Sequence, residues 1–295
     1  MATPDNELPI ENVKSVFASL RVNDYKYLSV GLLGSAFALN MQLIAQGWMV
    51  YEMTSSAIKL TWVTLSFMIP QVVFSLLGGV LADRFAKKLI IAWAPFINGI
   101  ATLVMALIIF SGKADFSAFL VIGFLNGTVL ALSMPARTAF IPELVGEELI
   151  FNAMAFNSAC WNLARIVGPA AAGFIIAIFA DGNTTSSFGV GLVYVILSLL
   201  YFVSAISVLF IVHPGRPTQT QKRSALKDMQ EALMYVFNSP IVCGLILLSI
   251  LPFLFGLSIN TLLPAFSTDV LNGGPEDLGL LMTGMGFGAI LGSLT

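Results

Sequence analysis

The sequence predicts an all-α integral membrane protein, and three observations carry that prediction. Hydrophobic residues make up 57% of the 295 residues and charged ones only 10%, against about 25% charged in a soluble domain. The apolar residues gather into eight long runs joined by mostly short connections. The basic residues collect on alternate connections, as they do when a chain crosses a membrane repeatedly.

In order, the runs are Tyr27 to Tyr51, Ile58 to Leu81, Leu89 to Phe110, Phe116 to Phe140, Phe151 to Phe179, Phe188 to Val212, Ile241 to Phe266 and Leu278 to Leu294. A helix needs about 20 residues to cross a ~30 Å hydrocarbon core, and all but the last run reach that length. With the N-terminus inside, Lys14, Arg21, Lys26, Arg84, Lys87, Lys88, Arg137, Arg216, Lys222, Arg223 and Lys227 fall on the inner side. Lys59 and Lys113 fall outside, and Arg165 lies within a span. That imbalance predicts a multi-pass protein with a cytoplasmic N-terminus.

Residues 1–25 form a polar N-terminal segment without the apolar run of a signal peptide. Val13, Val16, Phe17 and Leu20 recur there at helical spacing, so the segment is either a short surface helix or a disordered tail. Residues 26–212 carry six spans, 213–240 a cytoplasmic connection, and 241–295 two further spans. In the connection, Leu226, Met229, Leu233, Val236 and Phe237 oppose Lys227, Asp228 and Glu231, which predicts an amphipathic helix on the inner surface. The last run stops at Thr295 without a polar flank, so the expectation is a C-terminally truncated chain.

Composition argues against an enzyme. The one histidine, His213, lies in a loop, and no serine or cysteine has a nearby base. Cys160 and Cys243 sit inside apolar runs with no metal-ligand spacing. No cofactor, metal or nucleic-acid partner is expected; the lipid bilayer is.

The connection between the second and third runs carries Asp83, Arg84, Lys87 and Lys88 within a few residues, preceded by Gly79. Read alone, it is either an ordinary basic loop or a charged hinge that holds two helices and releases them. Its spacing resembles the signature between the second and third helices of the major facilitator superfamily: glycine, three residues, Asp, a basic residue, any residue, glycine, two basic residues. Gly79, Asp83, Arg84, Lys87 and Lys88 fit, and Ala86 stands where that pattern has its second glycine. Gly168-Pro169-Ala170-Ala171-Ala172-Gly173 resembles the fifth-helix antiporter signature of drug exporters, with Ala164 and Ala172 in place of glycines. Plain small-residue packing accounts for the same run.

Four further stretches, Asn23 to Tyr27, Tyr51 to Ser56, Met134 to Arg137 and Ala164 to Pro169, resemble the bacterial exporter subgroup that includes enterobactin exporters and macrolide efflux proteins. The resemblance implies a twelve-helix bundle of which about eight helices are present, in a bacterial inner membrane. It also implies alternating access, a proton-coupled antiport of small amphipathic drugs, macrolides or siderophores, and a latch in which Asp83 pairs with Arg137. Helices 1, 4 and 7 would line the central cavity. An importer on the same fold, and a non-transporting lipid-handling or assembly factor, are the alternatives.

The substrate-site candidates are the polar residues inside spans: Asn40, Gln42, Gln46, Asn126, Asn162, Arg165, Ser258 and Asn260. An intramembrane arginine costs about 2.5–3.5 kcal/mol to insert. Arg165 therefore marks either a functional site or a structural anchor, and Ser158, Asn162 and Arg165 share one helix face. For the others, interhelical hydrogen bonding is the competing explanation. No carboxylate occupies the middle of a span, which leaves Glu52 and Asp269, near outer ends, as proton-coupling candidates.

Overall fold

The computed structural model describes residues 17–179, 187–215, 234–236 and 238–293, with the backbone alone for 246, 249–258, 260, 287 and 289–293. Helices stand at all eight predicted positions: α1 Asn23–Thr54, α2 Ala57–Arg84, α3 Lys87–Phe110, α4 Phe116–Val145, α5 Ile150–Phe179, α6 Ser187–Leu209, α7 Pro240–Asp269 and α8 Pro275–Ser293. Six of them, α1 to α6, are long and apolar enough to cross a membrane among the described residues. The predicted amphipathic helix and the basic residues from Arg216 to Lys227 lie outside the described residues. So do Val13 and Val16; the N-terminal segment shows one 3₁₀ turn, Ala18–Arg21, pinned by a hydrogen bond from Ser19 N–H to Asn152 Oδ1 at 2.9 Å.

Several helices run about a turn beyond the apolar stretch, as α1 does at both ends, while α6 stops three residues short of it, and polar side chains close two of the N-termini. Ser56 caps α2 by accepting from Lys59 N–H, and Asp115 caps α4 by accepting from Ala118 N–H at 3.0 Å. The α1 to α2 reversal takes only Ser55 and Ser56, with Ser55 left-handed at φ 46°. At the α2 to α3 reversal, Ala86 has φ −61° and ψ 120°, extended backbone that any residue adopts, so alanine suits the place where the related signature has glycine.

The principal packing pairs are α2 with α4, α3 with α6, α1 with α6, α1 with α5, and α8 with α5. Helices approach closely where one lacks a side chain, which is how bundles gain contact in lipid. A Cβ on Gly78 would sit 2.3 Å from Ala131 O, and one on Gly127 would sit 2.1 Å from Phe67 O. These glycines set the α2 to α4 spacing. Two apolar clusters fill the bundle, one around Met41, Ile44, Met105, Phe119 and Tyr194, which also takes in Leu263 of α7 and Leu278 of α8, and one around Tyr25, Leu28, Ile91, Phe140 and Ile141. Between them lies a layer of buried polar side chains.

Candidate functional site

At the C-terminal end of α2, Asp83 and Arg84 are exposed, while Lys87 is buried and Lys88 half-buried. The lysines are already committed. Lys87 forms an ion pair with Glu143 at 2.8 Å, and Lys88 Nζ donates to Ile211 O at 2.6 Å. Lys87 N–H donates to Gly215 O at 3.0 Å and Lys88 N–H to Pro214 O at 3.4 Å, so the chain leaving α6 caps the start of α3. Asp24 completes this inner clamp, accepting from Val212 and His213 N–H at 2.9 and 2.8 Å.

The expected Asp83–Arg137 pair is not formed in this conformation. Asp83 faces outward from the half, whereas Arg137 turns into the polar layer between the two apolar clusters. The reason is helix phase: α4 packs against α2 along the face of Gly123, Gly127 and Ala131, and Arg137 lies off that face. Gly79, the glycine of the signature, has open space where a Cβ would go, and its neighbour Gly78 makes the close approach.

In the interior, the structure joins three of the predicted polar residues into a chain. Asn126 Nδ2 donates to Gln42 Oε1 at 3.0 Å, and Gln42 Nε2 donates to Gln46 Oε1 at 3.3 Å, linking α4 to α1. Asn40 instead turns back on its own helix, donating to Ala36 O at 2.8 Å, with its Cβ against Gly168 of α5. Ser158, Asn162 and Arg165 are all exposed on one face of α5, and neither Asn162 nor Arg165 is hydrogen-bonded or ion-paired to another described residue. The side chains of Ser258 and Asn260 lie outside the described residues.

A cavity of about 650 Å³ opens between α2, α4 and α5, lined by Gln71, Ser75, Leu130, Ala131, Met134, Pro135, Thr138, Ala139 and Trp161. Its size is that of a small-molecule site, and its lining is mainly apolar with a few polar groups. Sequence reading missed Gln71 and Trp161. The signal was present: a glutamine inside an apolar span, and a tryptophan beside Asn162.

The antiporter-like run on α5 has two faces. Ala164, Gly168 and Ala172 are buried, Gly168 against α1, while Pro169 and Gly173 meet α8. A Cβ on Gly173 would lie 2.5 Å from Pro275 O, and Thr283 Oγ1 donates to Ile166 O at 3.0 Å. At the C-terminal ends of α1 and α7, the Tyr51 hydroxyl donates to Asp269 Oδ2. Beside that bond lies a cavity of about 300 Å³ lined by Trp48, Glu52, Thr268 and Asn272. Both Glu52 carboxylate oxygens are buried there without a hydrogen-bond partner among the described residues.

Comparison with known proteins follows the same lines. Residues 14–295 match the family described as transmembrane secretion effector, of the major facilitator type. Macrolide efflux protein A of Streptococcus pyogenes is 25% identical over 266 residues, 88% of this chain and 64% of the relative. Enterobactin exporter EntS of Citrobacter koseri is 26% identical over 273 residues, covering 91% and 59%, and the staphyloferrin A transporter of Staphylococcus aureus is 24% identical over 252 residues, covering 85% and 61%. The chain thus spans about six-tenths of the length of these curated relatives. Apolar helices at the predicted positions, the charged α2 to α3 hinge and a match across nearly the whole chain lead to one conclusion: this chain belongs to the transmembrane secretion effector family of the major facilitator superfamily.

Proposed function

We propose that the chain forms the first half, and the beginning of the second, of a secondary transporter that exports amphipathic small molecules across a bacterial inner membrane by proton-coupled alternating access. The observation that carries this reading is the 650 Å³ cavity, whose apolar walls with Gln71, Ser75, Thr138 and Trp161 suit an amphipathic ligand. Relatives named as macrolide and enterobactin exporters support the same substrate class. The exposed stripe of Asn162 and Arg165 offers hydrogen bonds and positive charge to a ligand. Gln42, Gln46 and Asn126 order the α1 to α4 wall, with Asn40, Ser258 and Asn260 as further contacts.

The conformation supports a cycle with the outer side closed. Tyr51–Asp269 and the α5 to α8 contact hold the outer ends together, while Asp83 and Arg84 at the inner end pair with no other described residue. In the opposite state, Asp83 and Arg84 engage a partner across the halves; Lys87 and Lys88 anchor the hinge and Gly79 leaves it room. Arg137 serves the interior of its own half. The proton is carried at the outer joint, by Glu52 in its buried, unpartnered site and by Asp269 under Tyr51.

The test is efflux of dyes, macrolides and catechol siderophores from cells expressing the gene through its natural stop codon, with Asp83→Asn and Arg165→Ala beside it. Efflux that needs a proton gradient, and that both substitutions abolish at unchanged membrane abundance, supports the reading. Absence of flux with normal insertion overturns it.

A further inference from the structure

A second, smaller cavity lies among the first six helices and shares Leu130 and Trp161 with the lining of the large one. It leaves about 20 Å³ for the centre of a water-sized sphere, enough for one water or one monatomic ion. Arg137 lines it at 7% exposure, and its Nε has no hydrogen-bond partner among the described residues. No carboxylate lines the cavity or pairs with Arg137 among the described residues. A guanidinium withdrawn from water is strongly unfavourable unless something compensates its charge.

We propose that this cavity is an anion site, taking a monatomic halide such as chloride as the counter-ion of Arg137. The guanidinium repels cations, and the small inner volume favours a monatomic ion over a larger anion. Tyr201 and Trp161 are among the lining residues and carry further donors, an O–H and an indole N–H. The Asn98 side chain, 8% exposed, makes no hydrogen bond to a described residue and has its Oδ1 unpartnered, so its amide can turn its NH₂ inward. The unpartnered Oδ1 of Asn126 opposes an anion, but as one neutral dipole against a full charge. The halide thereby stabilises the polar layer in which the α4 to α1 hydrogen bond is made.

The test is the melting temperature of the purified protein in detergent, with chloride replacing gluconate at constant ionic strength. The wild type should show a saturable rise, with a half-saturating chloride concentration about tenfold higher in Tyr201→Phe and no rise in Arg137→Gln. Should Arg137→Gln fail to fold, Asn98→Asp decides the matter, because a carboxylate in the cavity replaces the ion and should abolish the chloride dependence. A rise that persists in Arg137→Gln or in Asn98→Asp, or no rise in the wild type, overturns the proposal; the last result would mean that water fills the cavity.

Discussion

Gly78 and Gly79 are adjacent, yet the structure gives them opposite roles, and a single methyl group on each separates those roles. In Gly78→Ala the new Cβ would start 2.3 Å from the carbonyl oxygen of Ala131. That atom belongs to backbone, so no rotamer change relieves the clash. The α2 and α4 axes must part by about 1 Å to restore ordinary contact, a disturbance of the kind that costs about 1–3 kcal/mol when a packed interior is overfilled. In Gly79→Ala the Cβ meets nothing within 4 Å, and replacing a mid-helix glycine gains about 0.5–1 kcal/mol in conformational entropy. The assay is thermal unfolding of the purified variants in one detergent. Gly78→Ala should melt several degrees below the wild type and Gly79→Ala at or above it. Equal losses, or the reverse order, would refute the assigned packing of α2 on α4.

Three further expectations rest on separate contacts. Breaking the largely buried Lys87–Glu143 pair by Glu143→Gln should cost about 3 kcal/mol, the lower figure for a buried pair, and a double-mutant cycle with Lys87→Met should show clear coupling. Tyr51→Phe removes the bond to Asp269, so spin labels placed at the C-terminal ends of α1 and α7 should report a larger population of long distances. The Ser117 hydroxyl, and next the Ala118 N–H, hold the Asp115 carboxyl below its ordinary value of 3.8. Its contribution to stability is therefore present above that value and is lost as pH falls through the lower folded value, so Asp115→Asn should flatten the acid limb of the melting profile below about pH 4.

The helices were legible because a hydrophobic run of fixed length in a bilayer has few alternatives to a spanning helix. The α4 to α1 link was half legible: Asn126 and Gln42 stand out as polar residues in apolar spans, but their pairing depends on depth and rotation. Rotation is what the sequence conceals. One residue turns a helix position by about 100°, which is why Gly79 drew attention when Gly78 makes the contact, and why Arg137 was assigned to a surface pair when it faces inward. The cavity between α2, α4 and α5 was legible only in single residues: Gln71 and Trp161 stand out in their apolar spans, but nothing in the sequence shows that packing gathers them with the apolar residues of the wall.

The carbonyls of Pro214 and Gly215 cap the first amides of α3 at the charged hinge. Mechanically, this makes the exit of the six-helix half and its hinge a single fixed point. Any pull transmitted along the chain beyond Gly215 is borne first by the backbone of Lys87 and Lys88, next to the exposed Asp83 and Arg84. A displacement of the second half would therefore load the hinge directly, through covalent chain and two hydrogen bonds, without crossing the apolar core.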